Sequence, residues 1–120
     1  MDSISLANAA LLERFGSAFN DHDIEAVMGL MTEDCVFENT NPAPDGTRYE
    51  GQAAVRAAFS AFFDENPRAI FETEEMFASE TRGFVCWIYR WDDAGGHVRG
   101  VDVFHFRGGR VAAKLSYVKG

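Results

Sequence analysis

The chain has 120 residues, 47% of them apolar, and carries 11 Lys and Arg against 19 Asp and Glu for a formal net charge of -8. That length is one domain at the usual ~100–200 residues per domain, which excludes a TIM barrel, a protein kinase or a two-domain dehydrogenase. Its cations stand singly or in loose pairs, so the clustered positive charge that nucleic acid or an anionic membrane surface requires is missing, and neither partner is expected.

From Ser5 to Asn20, the residues Leu11, Leu12, Phe15, Ala18 and Phe19 recur at helical spacing, which predicts a first helix with this stripe inward and Ser3 or Ser5 as its N-cap. Asp23 caps a second, short helix that turns Val27, Leu30 and Met31 inward, and Thr32-Glu33-Asp34 breaks it into an extended run from Cys35 to Asn39. Asn41-Pro42-Ala43-Pro44-Asp45-Gly46 is a loop on turn chemistry alone. A third helix follows Gly51, with Ala54, Val55, Ala58, Phe59, Phe62 and Phe63 on one broad face and Asn66-Pro67 as its stop. The remainder reads as strands: Ala69 to Ala78, Phe84 to Trp91, Val98 to Arg107 and Val111 to Lys119. Gly95-Gly96 and Gly108-Gly109 mark hairpins, because paired glycines supply the positive φ angles such turns need. Helices first and strands after make a single α+β domain over residues 1–120, with helices on one face of an antiparallel sheet.

The 11 Phe, 3 Tyr and 2 Trp must fill a core, line a cavity or form an interface. In the strand Phe84 to Trp91, one face offers Phe84, Cys86 and Ile88 and the other Val85, Trp87, Tyr89 and Trp91. A strand apolar on both sides needs cover on both sides, so one of these faces calls for a partner. Cys35 and Cys86 lie in apolar runs without CxxC spacing and read as buried reduced thiols. The three histidines make no metal-ligand spacing, so no metal is expected. With no basic leader and no apolar run of membrane-spanning length, a cytoplasmic protein is the expectation.

Three segments carry a family resemblance. Arg14-Phe15, Asn20-Asp21-His22-Asp23-Ile24-Glu25 and Leu30-Met31-Thr32-Glu33-Asp34-Cys35-Val36-Phe37-Glu38-Asn39 resemble the start of the NTF2-like superfamily, in its SnoaL-like and ketosteroid-isomerase-like branch. Tyr49-Glu50-Gly51-Gln52-Ala53-Ala54-Val55-Arg56 is similar to that branch's third-helix entry, and Val101-Asp102-Val103-Phe104-His105-Phe106-Arg107-Gly108-Gly109-Arg110-Val111 to its "D-x-F-x-F-x-x-G-K-I" hairpin. The resemblance implies a cystatin-like α+β barrel, a cone-shaped curved antiparallel sheet packed on three N-terminal helices around an apolar pocket. It also implies a homodimer through the convex sheet face, and its spacing turns Phe84, Cys86 and Ile88 toward the pocket, which leaves the Trp and Tyr face for an interface. Function stays open, because this fold hosts isomerases, polyketide cyclases, dehydratases, epoxide hydrolases and non-catalytic modules.

Asp102 is the candidate catalytic residue. Period-two alternation puts it on one strand face with Phe104 and Phe106, away from Val101, Val103 and His105. Among phenylalanines a carboxyl loses hydration, which disfavours its charged form and suits it to general acid/base work. The other reading is a strand-end carboxylate that reaches solvent, Arg90 or Arg99. In ketosteroid isomerases a carboxylate base works with an oxyanion hole of a Tyr hydroxyl and a neutral Asp. Carried onto this chain, the neutral Asp matches Asp102, but Phe15 stands at the Tyr position and Asn39 at the base position. A phenyl ring donates no hydrogen bond and an amide takes no proton at pH 7, so steroid isomerisation by that route is not expected. The Asp-Arg-Asp set of the family's epoxide hydrolases has no match either, with Ser116 near the place of its last Asp.

Phe15, Phe19, Phe37, Phe59, Phe62 and Phe104 are the expected ligand-binding wall, with Phe106 beside them, and Asn39 either orients a ligand or caps its own turn. With a two-residue hairpin at Gly108-Gly109, Asp102 faces Leu115 and Tyr117 falls on the same face, where it either reaches the pocket or stands at its rim half in solvent; a one-residue change would move Lys114 and Ser116 inward instead. Two functions remain open. One is a cofactor-free, SnoaL-like enzyme of the cyclase, isomerase or dehydratase kind, acting on a small apolar cyclic molecule through Asp102. The other is a non-catalytic ligand-binding or interaction module with the same pocket.

Overall fold

A computed structural model describes residues 2–91 and 94–119. Helix α1 (Ser3–Asn20) is capped by Asp2, whose carboxylate accepts from the Ser5 backbone N–H at 2.8 Å and the Ser5 hydroxyl at 3.0 Å. The cap is thus one residue earlier than Ser3, and Ser5 is its donor, since a carboxylate accepts two bonds at once. Leu11, Leu12, Phe15 and Phe19 form the buried stripe. Asn8 also lies on that stripe, and its amide donates to the Ser79 and Glu80 carbonyls at 3.0 and 3.1 Å. Asn20 closes the helix against a strand: its amide donates to the Phe71 carbonyl and accepts from the Phe71 N–H, both at 2.9 Å.

Helix α2 (Ile24–Gly29) is capped by Asp23 as expected, with Val27 and Met28 buried. Strand β1 (Met31–Glu38) begins four residues before the expected run. The break expected at Thr32–Asp34 survives as an irregular stretch, where the pairing shifts register between Met31 and Val36. The side-chain amide of Gln52 fills that gap by donating to the carbonyls of Met28, Met31 and Thr32 at 3.0–3.3 Å. A short β2 (Arg48–Glu50), which the sequence reading missed, pairs with β1 and is held by Arg48, bonded to Glu38 and Glu50. Helix α3 (Gln52–Glu65) follows, with Val55, Phe59 and Phe63 buried and Asn66 at its C-cap.

Strands β3 (Ile70–Ala78), β4 (Arg82–Arg90), β5 (His97–Arg107) and β6 (Arg110–Val118) form the expected meander. The expected hairpin between β4 and β5 includes Asp92 and Asp93, which lie outside the described residues. Six strands are ordered β2-β1-β6-β5-β4-β3. The α+β class is as expected, but the sheet is mixed: β1 runs parallel to β6, and the other pairs are antiparallel. Parallel pairing is possible there because β2, helix α3 and strands β3 to β5 separate the two strands in sequence, giving the chain room to cross over.

The final hairpin turns on Gly108 and Gly109, at φ 58° and 78°, so the turn is the two-residue kind expected. Its register nevertheless differs. Phe106 pairs with Val111 but His105 pairs with Ala113, so Ala112 is an extra residue on β6. This bulge reverses the facing of every later β6 side chain. Asp102 then stands opposite Ser116, and Phe104 opposite Lys114. Tyr117 turns to the outer face and is 56% exposed, so its expected place in the pocket is overturned.

Strand β4 also faces opposite to the family-based expectation. Val85, Trp87, Tyr89 and Trp91 look toward the helices, where Trp87, Tyr89 and Trp91 line the main cavity. Phe84, Cys86 and Ile88 are on the outer face, and Phe84 stacks on Phe77 there with centroids 6.0 Å apart. Alternation says which residues share a face; which face is inward was decided by where α1 and α3 lie. Both cysteines are free, Cys35 buried and Cys86 half-buried.

Candidate functional site

Between the helices and the inner sheet face are two adjoining cavities of about 520 and 50 Å³. Phe19, Phe71, Trp87, Asp102 and Lys114 border both, so the polar pair stands at their junction. The larger falls within the ~300–1,000 Å³ range of small-molecule sites.

Asp102 lies on β5 with Phe104 and Phe106, and all three are buried. Its Oδ1 accepts the Ser116 hydroxyl at 2.7 Å, and its Oδ2 is 3.3 Å from the Lys114 ammonium. The same ammonium donates to Ser116 Oγ at 3.3 Å, closing a triangle of three side chains from two adjacent strands. Three rings surround the cation: its nitrogen is 4.8 Å from the Phe37 centroid, 5.1 Å from Phe19 and 5.8 Å from Phe59. Each is within cation–π distance, so π faces replace part of the water that the ammonium has lost. The carboxyl is therefore neither alone among phenylalanines nor paired with arginine. Arg90 bonds Glu72 and Arg99 bonds Glu74. An ion-paired carboxylate is a proton acceptor, and the ammonium beside it can hold negative charge that moves onto a ligand.

The expected aromatic wall divides. Phe19, Phe37, Phe59 and Phe62 line the large cavity, whereas Phe15 and Phe104 line only the small one, where they meet edge to face at 5.6 Å. Phe106 is buried in the core and lines neither. Asn39 borders the large cavity, but its Oδ1 accepts from the Thr47 N–H at 2.8 Å and the Asn41 N–H at 3.2 Å. Of the two readings for that amide, turn capping is the one its bonds carry.

Sequence reasoning placed Lys114 outside the pocket in its preferred register, and put Trp87 and Tyr89 at an interface. The available signal was a lone lysine within the apolar run Val111-Ala112-Ala113-Lys114-Leu115. Tyr89 donates to Asn66 Oδ1 at 3.0 Å, and burial pushes its phenol above the ordinary 10.0. The Trp87 indole N–H is buried with no acceptor. The histidines stay out of the site: His105 is on the outer face, His22 stacks on Phe63 at 4.6 Å, and His97 meets the Gly95 carbonyl at 2.8 Å. Among the described residues no three side chains cluster as a metal site, and no helix is long and apolar enough to cross a membrane.

Residues 12–114 match the SnoaL-like domain. An NTF2-like protein of unknown function from Mesorhizobium loti is 38% identical over 100% of this chain and 97% of its own, with a TM-score of 0.87. A provisionally assigned ketosteroid isomerase from Kribbella flavida is 18% identical over 97% of this chain and 80% of its own, with a TM-score of 0.80. A provisionally assigned polyketide cyclase from Sinorhizobium meliloti is 18% identical over 90% of this chain and 94% of its own, with a TM-score of 0.77. At that identity these last two share the fold alone. No curated protein matches the sequence.

Proposed function

The chain belongs to the SnoaL-like domain family, and on that premise we propose that it is an enzyme acting on a small, apolar, cyclic molecule, with Asp102 as general acid/base. The observation that carries this is the buried Asp102 carboxylate at the junction of two aromatic cavities, held on both oxygens by Ser116 and Lys114. Asp102 takes a proton from the bound molecule and returns it elsewhere on the same molecule, while Lys114 faces the negative charge left between the two transfers. Such a cycle consumes no net proton and suits isomerisation, cyclisation or dehydration. Steroid isomerisation through a Tyr and a second carboxylate is not part of the proposal, because Phe15 and Asn39 stand in their places.

The test follows deuterium exchange from heavy water into a panel of cyclic and aromatic carbonyl compounds by NMR, comparing the wild type with Asp102→Asn. Loss of the exchange rate by ~10²-fold or more in the variant is expected for a group that moves the proton. Full exchange in the variant refutes the acid/base role. Saturable binding without any exchange in the wild type would return the chain to the binding-module reading.

We extend the proposal to a homodimer through the outer sheet face, where Phe77 and Tyr117 are 50% and 56% exposed around the half-buried Phe84 and Cys86. Sedimentation equilibrium showing only monomer at tens of micromolar would refute it.

A further inference from the structure

Asp102 borders two spaces of unlike size. The large cavity is ligand-sized, whereas the small one, at about 50 Å³, is far below the ~300 Å³ at which small-molecule sites begin. A water molecule needs ~10–15 Å³ of such space, so the small cavity has room for a few waters and too little for a ligand. A carboxylate offers about four lone-pair sites, of which the Ser116 hydroxyl and the Lys114 ammonium take two on Asp102. Water beside it therefore finds acceptor positions still open.

The small cavity is bordered by Leu12, Gly16 and Asn20 of α1 and by Phe71 and Thr73 of β3. Gly16 and Thr73 are exposed, so it opens to solvent between that helix and that strand. The large cavity reaches the surface elsewhere, at the exposed Asn41 and Glu65, and neither Gly16 nor Thr73 borders it.

Gly16 adds a second observation. It stands inside α1 without a positive φ, where glycine weakens a helix relative to alanine. A Cβ on it would meet no atom within 4 Å. Neither backbone conformation nor close packing requires this glycine, and what it does is leave the border of the small cavity uncovered. A helical side chain lies over the turn before its own Cα, so one at this position would lie toward Leu12, along that border.

We propose that the small cavity is a water site of Asp102 with its own entrance between α1 and β3, kept clear by Gly16. This rests on the acid/base reading of Asp102 and supplies its exchange partner. With a ligand in the large cavity, a proton taken onto the carboxyl passes to water in the small one, and the proton returned to the ligand is drawn from that water. Asp102 ends as it began, and the hydrogen arriving on the ligand is a solvent hydrogen.

The experiment compares the wild type, Gly16→Ala and Gly16→Leu by rotating-frame Overhauser transfer from water to methyl groups. Leu12, only 3% exposed, borders the small cavity and not the large one, and Ala58 borders the large cavity and not the small one. A water cross-peak at Leu12 is expected in the wild type and in Gly16→Ala and should be lost in Gly16→Leu, with the peak at Ala58 kept in all three. On any compound that exchanges deuterium with the wild type, Gly16→Leu should slow the exchange by ~10-fold or more while leaving affinity unchanged. No water cross-peak at Leu12 in the wild type overturns the water site, as does its survival in Gly16→Leu. Unslowed exchange in Gly16→Leu shows that Asp102 is served through the large cavity and overturns the separate entrance. If no compound exchanges deuterium with the wild type, the acid/base reading fails while the cross-peaks still decide the water site, which keeps the two proposals separable.

Discussion

Replacing Lys114 by methionine keeps an unbranched side chain against Phe19, Phe37 and Phe59 and deletes one charge. The Lys114 and Asp102 side chains are only 9% and 10% exposed, whereas every other ion pair among the described residues has both partners at least 33% exposed. At their 3.3 Å separation, Coulomb's law with an effective dielectric constant near 20 gives a gross attraction of about 5 kcal/mol. An exposed pair contributes only ~0.2–1 kcal/mol, but removing one partner of a buried pair strands the other charge and costs about 3–5 kcal/mol. Lys114→Met is therefore expected to lose about 3–5 kcal/mol in equilibrium urea unfolding, with an unchanged slope. The double variant Lys114→Met/Asp102→Asn, which strands no charge, should recover about 2 kcal/mol of that loss. A single variant within ~1 kcal/mol of the wild type, or a double variant whose losses simply add, would refute the view of Asp102 and Lys114 as one buried, coupled unit.

Three further outcomes follow from particular positions. Gly100→Ala places a methyl 2.4 Å from both the Trp87 ring and the Tyr117 carbonyl, so it should cost ~1–3 kcal/mol and alter the near-ultraviolet circular dichroism of the indole; an unchanged melt and spectrum would show that the indole does not lie across β5. Gly109→Ala meets no neighbouring atom but keeps φ at 78°, costing ~1–2 kcal/mol, whereas Gly16→Ala in the exposed middle of α1 should add ~0.5–1 kcal/mol; thermal melts that order the two variants the other way would refute this. Burial and the facing Arg82 hold the His105 imidazole below its ordinary 6.5. The unfolded chain then binds the proton first, so the ring's contribution to stability is complete above about 6.5 and is lost as pH falls toward the lower folded value. His105→Gln should flatten that part of the stability–pH curve, and an unaltered slope would remove His105 as its source.

Local chemistry was sufficient for the elements: apolar stripes at helical spacing for α1 and α3, Asp23 as a cap, Gly108-Gly109 as a turn and alternation along β5 that sets Asp102 beside Phe104 and Phe106. These features depend on residues a few positions apart, which is why they could be read from the chain alone. Three other features depend on contacts between distant segments. The parallel pairing of β1 with β6 joins strands separated by β2, helix α3 and strands β3 to β5. The inward face of β4 was set by where the helices pack, and alternation is symmetric with respect to that choice. The Ala112 bulge, a single extra residue with no sequence signature of its own, brought Lys114 and Ser116 onto Asp102 and sent Tyr117 outward. From sequence alone the site was one acid in an apolar wall; tertiary structure made it an ion pair at the junction of two cavities, because one residue of register decides which side of a strand is buried.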